Sequence, residues 1–159
     1  MIKTSHRLSW KRVVMSLVVF ASAAQTPAAT SGQDGRKTVW GGVYTEAQAV
    51  RGKKAFEVTC GRCHADDLSG GVEPPPLAGS VFTAHWNNTP LAELYDKIAS
   101  TMPKSQTGGF SPGTLPLETC IDIVSYLLKF NGMPAGQMEL TTDIETLEQI
   151  RFTATPPAR

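Results

Sequence analysis

The chain has 159 residues, 41% hydrophobic and 18% charged, with 15 Lys and Arg against 14 Asp and Glu and a formal net charge of +1. That near balance argues against a surface built to grip nucleic acid, which demands clustered positive charge. Three cysteines cannot all pair, and the length suits one domain.

Residues 1–24 read as a secretory signal peptide. Lys3, Arg7, Lys11 and Arg12 form a basic start, Val13 to Ala21 is apolar, and Ala21, Ser22, Ala23 and Ala24 offer a cleavage site. The apolar run is shorter than the roughly 20 residues of a membrane span, so membrane attachment is expected only if this segment stays uncleaved. Its removal leaves 11 basic residues against 14 acidic ones, a net charge of −3. Residues 25–42, rich in Thr, Ser, Gly, Gln and Ala, read as a flexible lead-in. The expected domain covers 43–136, followed by a C-terminal extension over 137–159.

A first helix is expected from about Thr45 to Val58, with Thr45 as N-cap and Ala49, Gly52 and Phe56 recurring at helical spacing. It leads into Cys60, Gly61, Arg62, Cys63 and His64, which spell C-x-x-C-H. In that pattern two thiols form thioethers to the vinyl groups of a haem, and the histidine becomes an axial ligand to its iron. A redox dithiol would need flanking strand patterns, and a zinc knuckle would need a second ligand pair; Cys120 is alone and His85 has no companion at ligand spacing.

After His64 a long non-periodic stretch runs through Gly70, Gly71, Pro74, Pro75, Pro76, Leu77 and Gly79, as expected where a chain wraps a cofactor. A second helix is expected from near Pro90, placed at the first helical position, with Leu91, Leu94, Tyr95 and Ile98 on one face. It stops before Met102 and Pro103. The last helix runs from about Pro116 to Phe130, and Asn131, Gly132 and Pro134 end it. No strand pattern is visible, so the expected fold is all-α. Cys120 reads as a small buried hydrophobe.

Taken together, residues 40–136 resemble a class I c-type cytochrome. Besides the C-x-x-C-H motif, Gly52 and Phe56 match the pattern of that family's first helix. Ile123, Tyr126 and Leu127 match the last helix, which crosses the first nearly at right angles. Pro75, Leu77 and Gly79 match its P-x-L-x-G loop. The resemblance implies one haem c, attached through Cys60 and Cys63, within three main helices and their loops. It implies His64 and Met102 as the axial iron ligands, with Met133 and Met138 as competitors for the second position. It further implies that the Pro75 carbonyl accepts from the His64 ring, although Pro74 or Pro76 could hold the same place, and that Leu77 and Trp86 contact the haem. His85 is expected to be an ordinary loop histidine. Lys53, Lys54, Lys97 and Lys104 are expected either as a docking rim or as a solvated face.

The function implied is electron transfer in the bacterial periplasm, without substrate turnover. Residues 131–136 and 39–48 also resemble small exported cytochromes associated with quinoprotein dehydrogenases, which implies such an enzyme as donor and a route toward a terminal oxidase. Two other roles fit the same motif: a permanent haem subunit of a larger dehydrogenase, and a haem enzyme or small-ligand sensor whose sixth position opens.

Overall fold

The protein was analysed as a computed structural model that describes residues 37–158. The expected signal peptide and most of the lead-in lie outside the described residues. Among those described, the chain runs β1 (Lys37–Thr38), a single 3-10 turn, α1 (Glu46–Thr59), α2 (Gly61–His64), α3 (Gly79–Trp86), α4 (Leu91–Thr101), α5 (Leu117–Phe130), α6 (Ile144–Glu148) and β2 (Ile150–Arg151). The fold is all-α in character, and no described helix is long and apolar enough to cross a membrane.

Helix α1 starts where the Thr45 hydroxyl accepts from the Gln48 amide at 3.1 Å, which satisfies one of the unpartnered N–H groups of its first turn. It buries Ala49, Gly52 and Phe56 against α5, whose Ile123, Val124, Leu127 and Leu128 are also buried. A glycine inside a helix costs on the order of 1 kcal/mol against alanine. At Gly52 the reason is contact: a Cβ there would overlap the Asp122 carbonyl. Beside this crossing, the Phe56 and Tyr126 rings lie 5.4 Å apart between centroids, and the Arg51 guanidinium meets both Asp122 carboxylate oxygens at 2.9 Å.

Helix α4 buries Leu91, Leu94, Tyr95 and Ile98, the face its 3.6-residue periodicity demands. Pro90 is its N-cap, one position earlier than expected, and Pro116 caps α5 in the same way. Proline suits this place because it lacks only an N–H that the first turn leaves unpaired.

Two expectations are corrected. Helix α3 occupies part of the stretch between the proline loop and Pro90, so His85 belongs to a helix, not to a loop. Strands are present: β1 and β2 pair in parallel, Lys37 with Ile150 and Thr38 with Arg151. Two residues are too few to show a period, so no local pattern announces them.

Residues on both sides of the 43–136 segment also share its core. Val39, Leu140, Leu147, Ile150 and Phe152 are all buried. The Gln48 side chain, itself buried, pairs with both the amide and the carbonyl of Leu140 at 2.9 Å, and the Trp40 indole donates to the Thr153 carbonyl at 2.9 Å. Phe152 packs edge-on to Phe82 of α3, with ring centroids 5.9 Å apart, which couples the tail to that helix.

Candidate functional site

The end of α1 and the short α2 present the C-x-x-C-H residues on one curl of chain. Backbone bonds from the Cys63 and His64 amides to the Cys60 carbonyl, at 3.0 and 2.9 Å, close that curl. Cys60 is half-buried and Cys63 exposed. Burial raises the Cys60 thiol pKa, a trend partly offset by the Thr59 hydroxyl 3.2 Å from its sulfur. Redox dithiols depend on a lowered thiol pKa, so this environment does not suit that chemistry.

Both cysteines open onto a cavity of about 710 Å³, within the range of cofactor pockets. Its apolar walls come from Phe56 of α1, Val81, Phe82 and Trp86 of α3, Leu94 and Ile98 of α4, and Ile123 and Leu127 of α5. The 74–77 segment closes one side and residues 102–105 with Thr107 close another. His64 and Met102 both line this space.

The His64 ring is buried, and its Nδ1 lies 3.0 Å from the Pro75 carbonyl oxygen. A carbonyl can only accept, so Nδ1 is the donor in this contact, which in the neutral ring leaves Nε2 with the lone pair that a metal requires. Of the three consecutive prolines it is Pro75 that meets the ring; the Pro74 carbonyl accepts instead from the Gly71 amide at 2.8 Å. Leu77 lines the cavity two residues on.

Met102 caps α4, its amide bonded to the Ile98 carbonyl at 3.2 Å and its carbonyl accepting from Gly113 at 3.3 Å. The following loop folds back over the end of α1, so closely that a Cβ at Gly108 would stand 2.8 Å from the Val58 carbonyl oxygen. The two competing methionines are elsewhere. Met133 is buried away from the cavity beside Tyr44, whose hydroxyl donates to the Met133 carbonyl at 2.6 Å, and Met138 is exposed beside a separate groove.

Trp86 lines the cavity as expected, with its ring 4.9 Å from His85 and 6.4 Å from Phe82. His85 lines it too, which its reading as a bystander missed. Lys97 and Lys104 stand at the cavity, whereas Lys53 pairs with Glu57 on the exposed side of α1. Val81 and Phe82 also contribute to the wall, although α3, with Phe82 its one buried residue, carries no repeating apolar stripe in the sequence.

The donor set fits a covalently held haem. Two thiols, an imidazole and a thioether sulfur line one apolar chamber, with Lys97 and Lys104 also in its lining. Among the described residues no cluster of three or more His, Cys, Asp or Glu could hold a bare metal ion, so the zinc-knuckle reading has no ligand set there. No curated protein and no solved structure gave a match. Residues 47–127, just over half the chain, match the family model described as cytochrome c oxidase, cbb3-type, subunit III. With that match and this site, the chain belongs to this family of c-type cytochrome domains, of class I, which carry a covalently bound haem c and transfer electrons through it.

Proposed function

We propose that this protein is a single-haem electron carrier of the bacterial periplasm, accepting one electron from an exported redox protein and delivering it to another. The observation that carries the reading is the convergence of Cys60, Cys63, His64 and Met102 on one apolar cavity. When bound, the haem supplies a reversible one-electron couple at its iron.

The chain's own residues do the rest. Cys60 and Cys63 would hold the haem covalently, and His64 Nε2 and the Met102 thioether would be the ligands to its iron. Phe56, Phe82, Leu94, Ile98, Ile123 and Leu127 exclude water from the cavity, which limits the solvent rearrangement that accompanies a change of charge. A soft, neutral thioether favours the reduced iron relative to a second imidazole.

We infer export from the leader, with its basic start and short apolar run. The donor we assign is a quinoprotein dehydrogenase and the onward acceptor a terminal oxidase, on the resemblance of residues 39–48 and 131–136. Lys97 and Lys104 at the cavity suit brief, charge-steered encounters with such partners.

Carbon monoxide added to the reduced protein tests the carrier reading. A carrier with both axial positions filled should bind none on the time scale of mixing. Rapid, stoichiometric binding would instead establish a ligand-binding haem protein. Reduction by a quinoprotein dehydrogenase turning over its own substrate tests the donor assignment, and failure to be reduced would overturn it.

A further inference from the structure

The proline loop that meets His64 is poorly equipped to hold itself in place. Pro74, Pro75 and Pro76 have no N–H groups, so three successive residues cannot donate a backbone hydrogen bond. Its own ties are Gly71 N to Pro74 O and Leu77 N to Leu68 O, both at 2.8 Å. Neither joins it to the long helices.

Asn131 makes that connection. It follows the last residue of α5, and its amide nitrogen Nδ2 donates to the carbonyls of Leu77 at 3.0 Å and Leu127 at 2.9 Å. Its Oδ1 accepts from the Gly79 amide at 3.0 Å. The orientation of the amide is fixed by its partners, since two carbonyls require the nitrogen and one N–H requires the oxygen. An asparagine serving only to end a helix would need only the Leu127 contact.

We propose that Asn131 is a positioning residue for His64: it fastens the loop backbone at Leu77 and Gly79 to the end of α5 and thereby holds the Pro75 carbonyl on His64 Nδ1. The chain of contacts closes on itself. Helix α5 is set against α1 at Gly52, α1 delivers the curl that bears His64, and Asn131 returns from α5 to the loop that orients the His64 ring. The inference rests on the reading of His64 as an axial ligand. A firmly held Nδ1–H···O bond makes the imidazole a stronger donor to iron, which favours the oxidised state. Loosening the loop should therefore raise the reduction potential.

The experiment uses the holoprotein, with Asn131→Leu and Asn131→Ala beside the wild type. Thr45→Ala serves as a control that weakens α1 at its cap, away from the loop. Absorption spectra of the wild type come first: a haem lacking imidazole ligation would overturn the ligand reading, and this proposal with it. Given imidazole ligation, both Asn131 variants should show a raised midpoint potential and exchange of the His64 ring N–H at least about tenfold faster in the reduced state. Thr45→Ala should lower the melting temperature and move neither quantity. Unchanged potential and ring-proton exchange in folded Asn131 variants would overturn the positioning role while leaving His64 as a ligand. If neither variant folds, the wild type decides: the Asn131 side-chain amide protons should exchange at least about tenfold slower than those of exposed Gln137, and equal rates would overturn the proposal.

Discussion

The α carbon of Gly52 lies so close to the Asp122 carbonyl that a methyl group at position 52 would overlap its oxygen. That contact lets α1 and α5 approach backbone to backbone, and the cavity is built on their meeting. Gly52→Ala gains about 1 kcal/mol of helix propensity and loses more to overpacking, typically 1–3 kcal/mol and more against rigid backbone. A net loss of at least about 1 kcal/mol is expected in denaturant unfolding of the holoprotein. An unchanged or raised midpoint would contradict the packing.

The tail is part of the core, and Phe152 is its largest fully buried hydrophobic side chain. Phe152→Ala should cost about 3–5 kcal/mol, because the cavity it leaves adjoins Phe82 on helix α3 and cannot readily collapse. A loss below about 1 kcal/mol in the same unfolding assay would show that the tail is dispensable.

Met102 is the one methionine among Met102, Met133 and Met138 that lines the cavity. Met102→Ala should gain carbon monoxide binding in the reduced state and lose the near-red absorption band of the oxidised protein. A spectrum identical to wild type would move the axial role to Met133 or Met138.

Tyr44 is buried, and that burial, reinforced by the nearby Glu46 charge, raises its hydroxyl pKa from the usual 10.0 to about 12. In the unfolded chain the hydroxyl ionises near 10.0, so between pH 10 and 12 the unfolded state holds fewer protons and stability falls as pH rises. Below pH 10 the group is neutral in both states and contributes no slope. Tyr44→Phe should be less stable at neutral pH by about 1 kcal/mol, having lost the bond to the Met133 carbonyl, yet lose stability less steeply above pH 10. Parallel curves for the two proteins in that window would contradict this.

Burial likewise raises the Cys120 thiol pKa to about 11. The native holoprotein should therefore leave Cys120 unmodified by iodoacetamide at pH 8, and labelling should appear only on unfolding. Prompt labelling of the native protein would show that α5 opens locally.

The helices that carry strong one-sided patterns were legible in the sequence. Leu91, Leu94, Tyr95 and Ile98 announce α4, and Thr45 marks the start of α1 through a cap that local chemistry determines. Helix α3 was hidden because Gly79 and Ser80 open it and only Phe82 among its eight residues is buried, so no stripe repeats. The β1–β2 pair and the Gln48–Leu140 contacts join segments distant in sequence, and nothing local encodes them. At the site, the attachment motif is contiguous and readable. The enclosure of Met102 depends on how the 102–116 loop packs on α1, and the reach of Asn131 across to the proline loop depends on tertiary geometry that no spacing reveals.

The central claim is that Cys60 and Cys63 hold one haem by covalent bonds. Intact mass spectrometry after acid–acetone extraction tests it most directly, on the wild type and on Cys60→Ser with Cys63→Ser. The wild type should keep its pigment with the polypeptide and carry the added mass of one haem, and the double variant should carry none. Wild-type protein stripped of colour by the extraction, or of unmodified mass, would contradict it.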